Sequence, residues 1–235
     1  MNATLQCDPS APLTALARMG RGIFPDHCVI AVTDPRIPCQ GLIGAERQAA
    51  ASMRPARRQE FTAGRMAARR AMAELGLPVS AIPMGPDRAP VWPDNLRGSL
   101  THCASACLAV LTRADIMLGV DVEPDEPLPD DVAQLVCSEA EQRWIQSRPE
   151  ETRGTLSRLI FSAKEAAFKA QYPLSKRVFD FTTLRITPEM ADHRFTATFT
   201  TPVAPFPLGY QLEGRFCLSD RFVLTGVTLV SENVL

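Results

Sequence analysis

Leu118-Gly119-Val120-Asp121-Val122-Glu123, closed by Pro124, and Phe161-Ser162-Ala163-Lys164-Glu165-Ala166-Ala167-Phe168-Lys169 are the two stretches whose reading decides the fold. The first is a strand. Val120 and Val122 face one side and Asp121 and Glu123 the other, because strand side chains alternate. Two carboxylates two residues apart therefore project side by side. The second is a helix that carries a third carboxylate, Glu165, between Lys164 and Lys169. Brought together, three carboxylates and two lysines form a magnesium site with phosphate contacts, since a hard cation takes oxygen ligands and shares substrate phosphates. Alone, each stretch has a simpler reading: a half-buried strand with a wet face, and a solvated helix with a Glu–Lys pair. The rest of the chain decides whether they belong together.

At 235 residues the chain is one large domain or two of about 115. Its 46% apolar content is enough for a sizeable core. A net charge of −1 leaves no global field for nucleic acid or an anionic membrane. The 20 prolines fall between periodic segments and punctuate them. No run reaches the ~18 apolar residues of a membrane span. Met1 to Arg21 lacks a basic start followed by an apolar core, so no secretory leader is expected. Seven scattered cysteines without a Cys-x-x-Cys pair read as buried thiols of a reducing, cytoplasmic protein.

In chain order, an amphipathic piece surrounds Leu13, Leu16, Ala17 and Met19, and Cys28 to Val32 is a strand. A helix is expected over Leu42–Ala51 with Glu46 outward. Arg54–Leu75 is the clearest helix: Phe61, Ala68, Ala71, Met72 and Leu75 share an arc, and Gly76 with Pro78 ends it. Arg58, Arg65 and Arg69 form a stripe roughly 60° from that arc, and Arg57 lies on its other flank. A basic helix stripe is most often a solvated face; its place beside the core leans towards an anion site, since guanidinium grips phosphate in bidentate fashion. After a Pro-rich turn at 85–93, Gly98 to His102 leads towards a strand at 108–111. With a turn at Arg113–Asp115, that strand and 116–122 are expected to form a hairpin. Ser138 with Glu141 is a capping box. A long helix is expected over Leu156–Ala170, ended by Pro173. Residues 178–235, from Phe179-Asp180-Phe181 onward, read as a β meander. Two α+β halves follow from this order, linked by the 116–123 strand.

Four segments in this order resemble the 4′-phosphopantetheinyl transferase family, in its enterobactin-synthase-component branch. They are Arg57-Arg58-Gln59-Glu60-Phe61 to Gly64-Arg65 and Arg69; Arg88-Ala89-Pro90-Val91-Trp92-Pro93; Gly98-Ser99-Leu100-Thr101-His102-Cys103; and the opening pair. The resemblance covers about residues 54–175. Phe161 stands where the family often has Trp, Thr101 where it has Ser, and Ala67 where this branch often has Cys. None of these removes a charge.

The resemblance implies an α+β, pseudo-twofold monomer of two similar halves, 1–115 anchoring coenzyme A and 116–235 carrying the metal site and catalysis. It implies Mg2+, with Mn2+ as an alternative ion, held by Asp121, Glu123 and Glu165. Lys164 and Lys169 would contact phosphates. Arg57, Arg65 and His102 would anchor the 3′-phosphate end, with Arg88 and Thr101 nearby. The implied reaction moves the phosphopantetheine arm of coenzyme A onto a serine of an apo acyl or peptidyl carrier protein, with Glu165 as base and Lys169 offsetting charge. Siderophore, polyketide, nonribosomal-peptide and fatty-acid carriers all remain open. A metal-dependent phosphodiesterase acting on holo carrier protein and a non-catalytic coenzyme A binding module are the alternatives.

Overall fold

The computed structural model describes residues 11–39 and 41–230. The N-terminal amphipathic piece is helix α1, Ala11–Ile23, which buries Leu13, Leu16, Gly20 and Ile23. Strand β1, Val29–Thr33, follows, then helices α2, Ala45–Ala51, and α3, Pro55–Glu74. Pro55 opens α3, where a missing N–H costs nothing. Gly76, at φ 70°, turns the chain out of it.

Strands β2, Arg97–Cys103, and β3, Ala106–Thr112, form a hairpin, and β1 pairs with the far edge of β3. This gives an antiparallel sheet of order β1-β3-β2 with α3 packed on it. Strand β4, Ile116–Pro124, belongs to the second half. Helices α4, Asp130–Val136, α5, Glu139–Gln146, and α6, Glu150–Ser175, come next. The meander then supplies β5, Leu184–Glu189, β6, Arg194–Phe199, β7, Gln211–Leu218, and β8, Phe222–Val230. The second sheet has order β4-β8-β7-β6-β5, and α6 lies on β4 and β8. Each half is thus one long helix on an antiparallel sheet. No helix among the described residues is long and apolar enough to cross a membrane.

The two halves meet where β2 runs beside β4. Side chains stitch this seam. The Val120 N–H donates to Ser99 Oγ at 3.1 Å, and the Val122 N–H donates to Thr101 Oγ1 at 3.1 Å. The hydroxyls satisfy backbone donors that would otherwise be buried without a partner. Beneath the seam one apolar cluster joins Leu16, Phe24 and Leu108 to Val120, Val122 and Leu224, so burial binds the halves together.

Several sequence expectations are corrected. The strands at 108–111 and 116–122 do not form a hairpin: β3 pairs with β1 and β2, and β4 with β8 along nine residues. Arg113–Asp115 instead carries the chain from one sheet to the other. Glu46 does not face outward. It is fully buried, and its carboxylate takes Arg69 Nη1 at 2.8 Å and the Ile82 N–H at 2.8 Å. The long helix begins at Glu150 and runs past Pro173 to Ser175, where Lys176 adopts the left-handed conformation. A proline forfeits one helical N–H and does not by itself stop a turn already held by packing. Phe179 to Phe181 is not a strand. Asp180 accepts the Thr182 N–H at 3.0 Å and caps a single 3-10 turn, Phe181–Thr183. The capping box at α5 is present, with Glu141 Oε2 taking the Ser138 N–H at 2.7 Å.

Candidate active site

Between the halves lies a cleft of about 1290 Å³. Gly119 lets its floor form. A Cβ there would sit 1.9 Å from the Ala166 carbonyl oxygen, so α6 rests directly on the β4 backbone. This close approach brings Glu165 and Lys169, on the helix, over Asp121 and Glu123, on the strand. All four line the cleft. The two opening stretches of sequence do meet.

Asp121 is the centre of the floor. Lys169 Nζ donates to its Oδ1 at 2.6 Å and Thr101 Oγ1 donates to the same oxygen at 3.0 Å. Thr101 also accepts the Val122 N–H, so its one hydroxyl proton is committed to Asp121. Asp121 Oδ2 is buried and has no hydrogen-bond partner. Glu123 is held by Arg158, whose Nη1 donates to Oε2 at 3.0 Å while Nε and Nη2 grip the carbonyls of Glu126 and Pro127. Burial first, and then the charge of Asp121, pushes the Glu123 carboxyl up to about 7. Glu165 is shifted upward as well, by burial and by Asp121, with Lys169 opposing.

Among the described residues no three acidic, histidine or cysteine side chains converge tightly enough to enclose an ion; Arg158 and Lys169 hold two of the carboxylates. The donors nevertheless suit a hard divalent cation. They are all oxygens. A carboxylate oxygen buried without a partner, as Asp121 Oδ2 is, carries a desolvation cost that a cation removes.

The far wall is basic. Arg57, Arg65, Arg88 and His102 line it. Arg65 is buried against the Phe61 ring, 4.3 Å away, with Nε donating to the Ile82 carbonyl at 2.7 Å. Burial lowers its pKa to about 10, which leaves it charged at neutral pH. Arg88 sits at φ 65° in the 85–90 turn. That turn is tied across the cleft mouth by Asp87, which accepts from Tyr172 Oη at 3.1 Å and pairs with Lys176 at 3.7 Å. Arg57 Nη1 meets His102 Nε2 and pairs with Glu60 at 3.1 Å.

Three basic residues singled out in the sequence lie elsewhere. Lys164 is 2% exposed, and its ammonium donates to the Val136 carbonyl, Glu141 and the Phe181 carbonyl at 2.7, 2.8 and 3.0 Å. It leaves α6 on the side away from the cleft and is not among the cleft residues. The phosphate contact expected of it is therefore not formed by this arrangement. Arg69 is spent on Glu46 and the Gly41 carbonyl, and Arg58 on the carbonyls of Ala50, Ala51 and Met53. Sequence reasoning gave no role to Glu60, Ser99, Asp87, Arg158 or Tyr172. Only Glu60, one helical turn from Arg57, had a local signal.

Comparison with known proteins agrees with this geometry. Residues 45–112 match the 4′-phosphopantetheinyl transferase N-terminal domain, and residues 117–225 match the 4′-phosphopantetheinyl transferase superfamily. The chain is 36% identical over 211 residues to 4′-phosphopantetheinyl transferase Svp of Streptomyces mobaraensis, covering 86% of this chain and 84% of that one. It is 36% identical over 181 residues to 4′-phosphopantetheinyl transferase PptT of Mycobacterium tuberculosis, covering 74% and 79%. Enterobactin synthase component D of Salmonella typhi is 39% identical over 117 residues, 48% of each chain. A basic wall facing an acidic floor, two matched halves and two transferases aligned over most of their length lead to one conclusion: the chain belongs to the 4′-phosphopantetheinyl transferase superfamily.

Proposed function

We propose that the protein transfers the 4′-phosphopantetheine arm of coenzyme A onto a serine hydroxyl of an apo acyl or peptidyl carrier protein and releases 3′,5′-ADP. The observation that carries this reading is the pairing of two ends in one cleft. The unpartnered Asp121 Oδ2, with Lys169 and Glu165 above it, suits a metal-bound pyrophosphate. The Arg57, Arg65, Arg88 and His102 wall suits a second, separate phosphate. Coenzyme A carries both on one molecule. The names of the relatives support the same reaction. In this reading residues 1–115 anchor coenzyme A, residues 116–235 carry the chemistry, and the enzyme acts as a monomer.

Asp121, Glu123 and Glu165 would hold Mg2+. When bound, the ion supplies positive charge beside the pyrophosphate oxygens. The serine hydroxyl is a weak nucleophile at neutral pH and needs a base. Glu165 takes its proton as the serine oxygen forms its bond to the phosphorus that carries pantetheine. Glu165 lines the cleft beside Lys169 and Asp121, within the group of side chains that would surround the reacting phosphorus. The phosphorus–oxygen bond to 3′,5′-ADP breaks, and Lys169, which lines the cleft beside Asp121, would offset the charge that gathers on the leaving group. Arg57, Arg65 and His102 orient the 3′-phosphate, which fixes the reacting phosphorus at the other end.

The test is to incubate the protein with coenzyme A, Mg2+ and an apo carrier protein and to weigh the carrier. A gain of one phosphopantetheine is expected, and Asp121→Ala abolishes it while remaining folded. Loss of the arm from a holo carrier, or transfer by Asp121→Ala at the wild-type rate, overturns the reading.

A further inference from the structure

The basic end of the cleft contains a carboxylate that no part of the reaction above requires. Glu60 lies on α3 one turn beyond Arg57 and lines the cleft. A negative charge among groups meant for a phosphate should weaken them, so its geometry matters. Glu60 Oε2 takes Arg57 Nη1 at 3.1 Å and lies 3.7 Å from His102 Nδ1. The same Arg57 Nη1 meets His102 Nε2. One oxygen thus faces both Arg57 and the His102 ring, and the three side chains close a triangle between α3 and β2. Contact between Arg57 Nη1 and His102 Nε2 makes that nitrogen the acceptor and places the ring proton on Nδ1, towards Glu60.

Arg57 is 52% exposed along its side chain. Left alone it would sample many rotamers, and each capture of an anion would cost that freedom. The imidazole has a second difficulty. Burial, Arg57 and Lys169 all disfavour its charged form, while Glu60 and Asp121 favour it. To donate to a phosphate, Nε2 must take up a proton and give up its contact with Arg57; a carboxylate behind the ring offsets the penalty of that charged form.

We propose that Glu60 is a positioning residue of the coenzyme A site: it holds Arg57 and His102 in one shared orientation so that both engage the 3′-phosphate. This rests on the coenzyme A reading above. Glu60 touches no ligand atom. It acts through the two side chains that do, and its own charge is cancelled by Arg57 rather than presented to the cleft. The backbone carbonyl of Glu60 is also tied down, accepting Cys107 Sγ at 3.6 Å, which fixes this turn of α3 against β3.

The experiment compares wild type, Glu60→Ala and Glu60→Gln with two probes, coenzyme A and 3′-dephospho-coenzyme A. Binding is measured by calorimetry and turnover with an apo carrier protein. Glu60→Ala is expected to weaken coenzyme A binding about tenfold, the size of one lost charge-assisted contact, and to raise KM by more than it lowers kcat. Glu60→Gln, which keeps an acceptor for Arg57, falls between. With 3′-dephospho-coenzyme A, wild type and both variants bind alike, because the group that Arg57 and His102 grip is gone. Equal losses on both probes would mean a general structural role and overturn the inference. So would unchanged or tighter binding of coenzyme A by Glu60→Ala. Wild type that binds the two probes equally overturns the assignment of this end of the cleft, and that is read without any variant.

Discussion

Lys169 Nζ lies 2.6 Å from Asp121 Oδ1 and 3.1 Å from the Val120 carbonyl oxygen, so one helical side chain holds both the carboxylate and the backbone of the strand beneath it. In the proposed reaction, Lys169→Ala removes a charge beside the leaving group, and it removes one of the two donors that hold Asp121 Oδ1. Turnover should fall about 100-fold, with a smaller rise in KM for coenzyme A. The Mg2+ concentration needed for half-maximal rate should rise as well. Steady-state kinetics over both ligands checks this; an unchanged kcat with only a raised KM contradicts it.

The carboxylates of the floor make metal-free stability depend on pH. In the folded protein Glu123 titrates at about 7, above the ordinary value of 4.5. The folded state therefore keeps a proton that the unfolded state has already released. Its contribution is complete below about pH 4.5 and is lost as the pH rises through about 7. Glu165 acts in the same direction. Urea unfolding without metal should show lower stability at pH 8 than at pH 6, and Glu123→Gln should flatten that slope. A Glu123→Gln profile parallel to wild type would refute the assignment.

Gly119→Ala is expected to disable the enzyme at a distance from any ligand. The added Cβ would lie 1.9 Å from the Ala166 carbonyl oxygen and 2.7 Å from the Ala170 nitrogen, and both are backbone atoms. The helix must lift, carrying Glu165 and Lys169 away from Asp121. Overpacking of this kind costs about 1–3 kcal/mol. Thermal unfolding should show that loss, and activity should drop well beyond the fraction unfolded. A variant as active as wild type would show that the spacing of α6 and β4 is not critical.

Lys164→Met separates a structural lysine from a ligand contact. It leaves Glu141 buried with its charge uncompensated, a loss of about 3–5 kcal/mol. Pairing it with Glu141→Gln should return part of that. At temperatures where the variant stays folded, KM for coenzyme A should be near the wild-type value. A large rise in KM with little loss of stability would restore the phosphate contact that the sequence suggested.

Much of this site is local in the chain, which is why it can be read there. The alternation of Val120 and Val122 with Asp121 and Glu123 dictates which side chains share a face, whatever the strand pairs with. The arc of Phe61, Ala68 and Met72 dictates which side of α3 is buried. The Ser138–Glu141 cap is closed within four residues. Pairing is not local. Nothing within 108–122 says that β4 leaves β3 for β8, because the partner arrives about a hundred residues later.

Charged side chains divide in the same way. Sequence alone determined that three carboxylates and a set of arginines and lysines exist at family spacing, and that Asp121 and Glu123 project together. Only the tertiary structure decided which of them are free to meet a ligand. Lys164 and Lys169 are both on α6, yet one is buried on Glu141 and the other reaches Asp121. Arg65 and Arg69 share a stripe, yet Glu46, 23 residues upstream, claims only Arg69. A buried charge is neutralised by whichever partner packing delivers, and that partner is set by how helices and sheets stack rather than by neighbours in the chain.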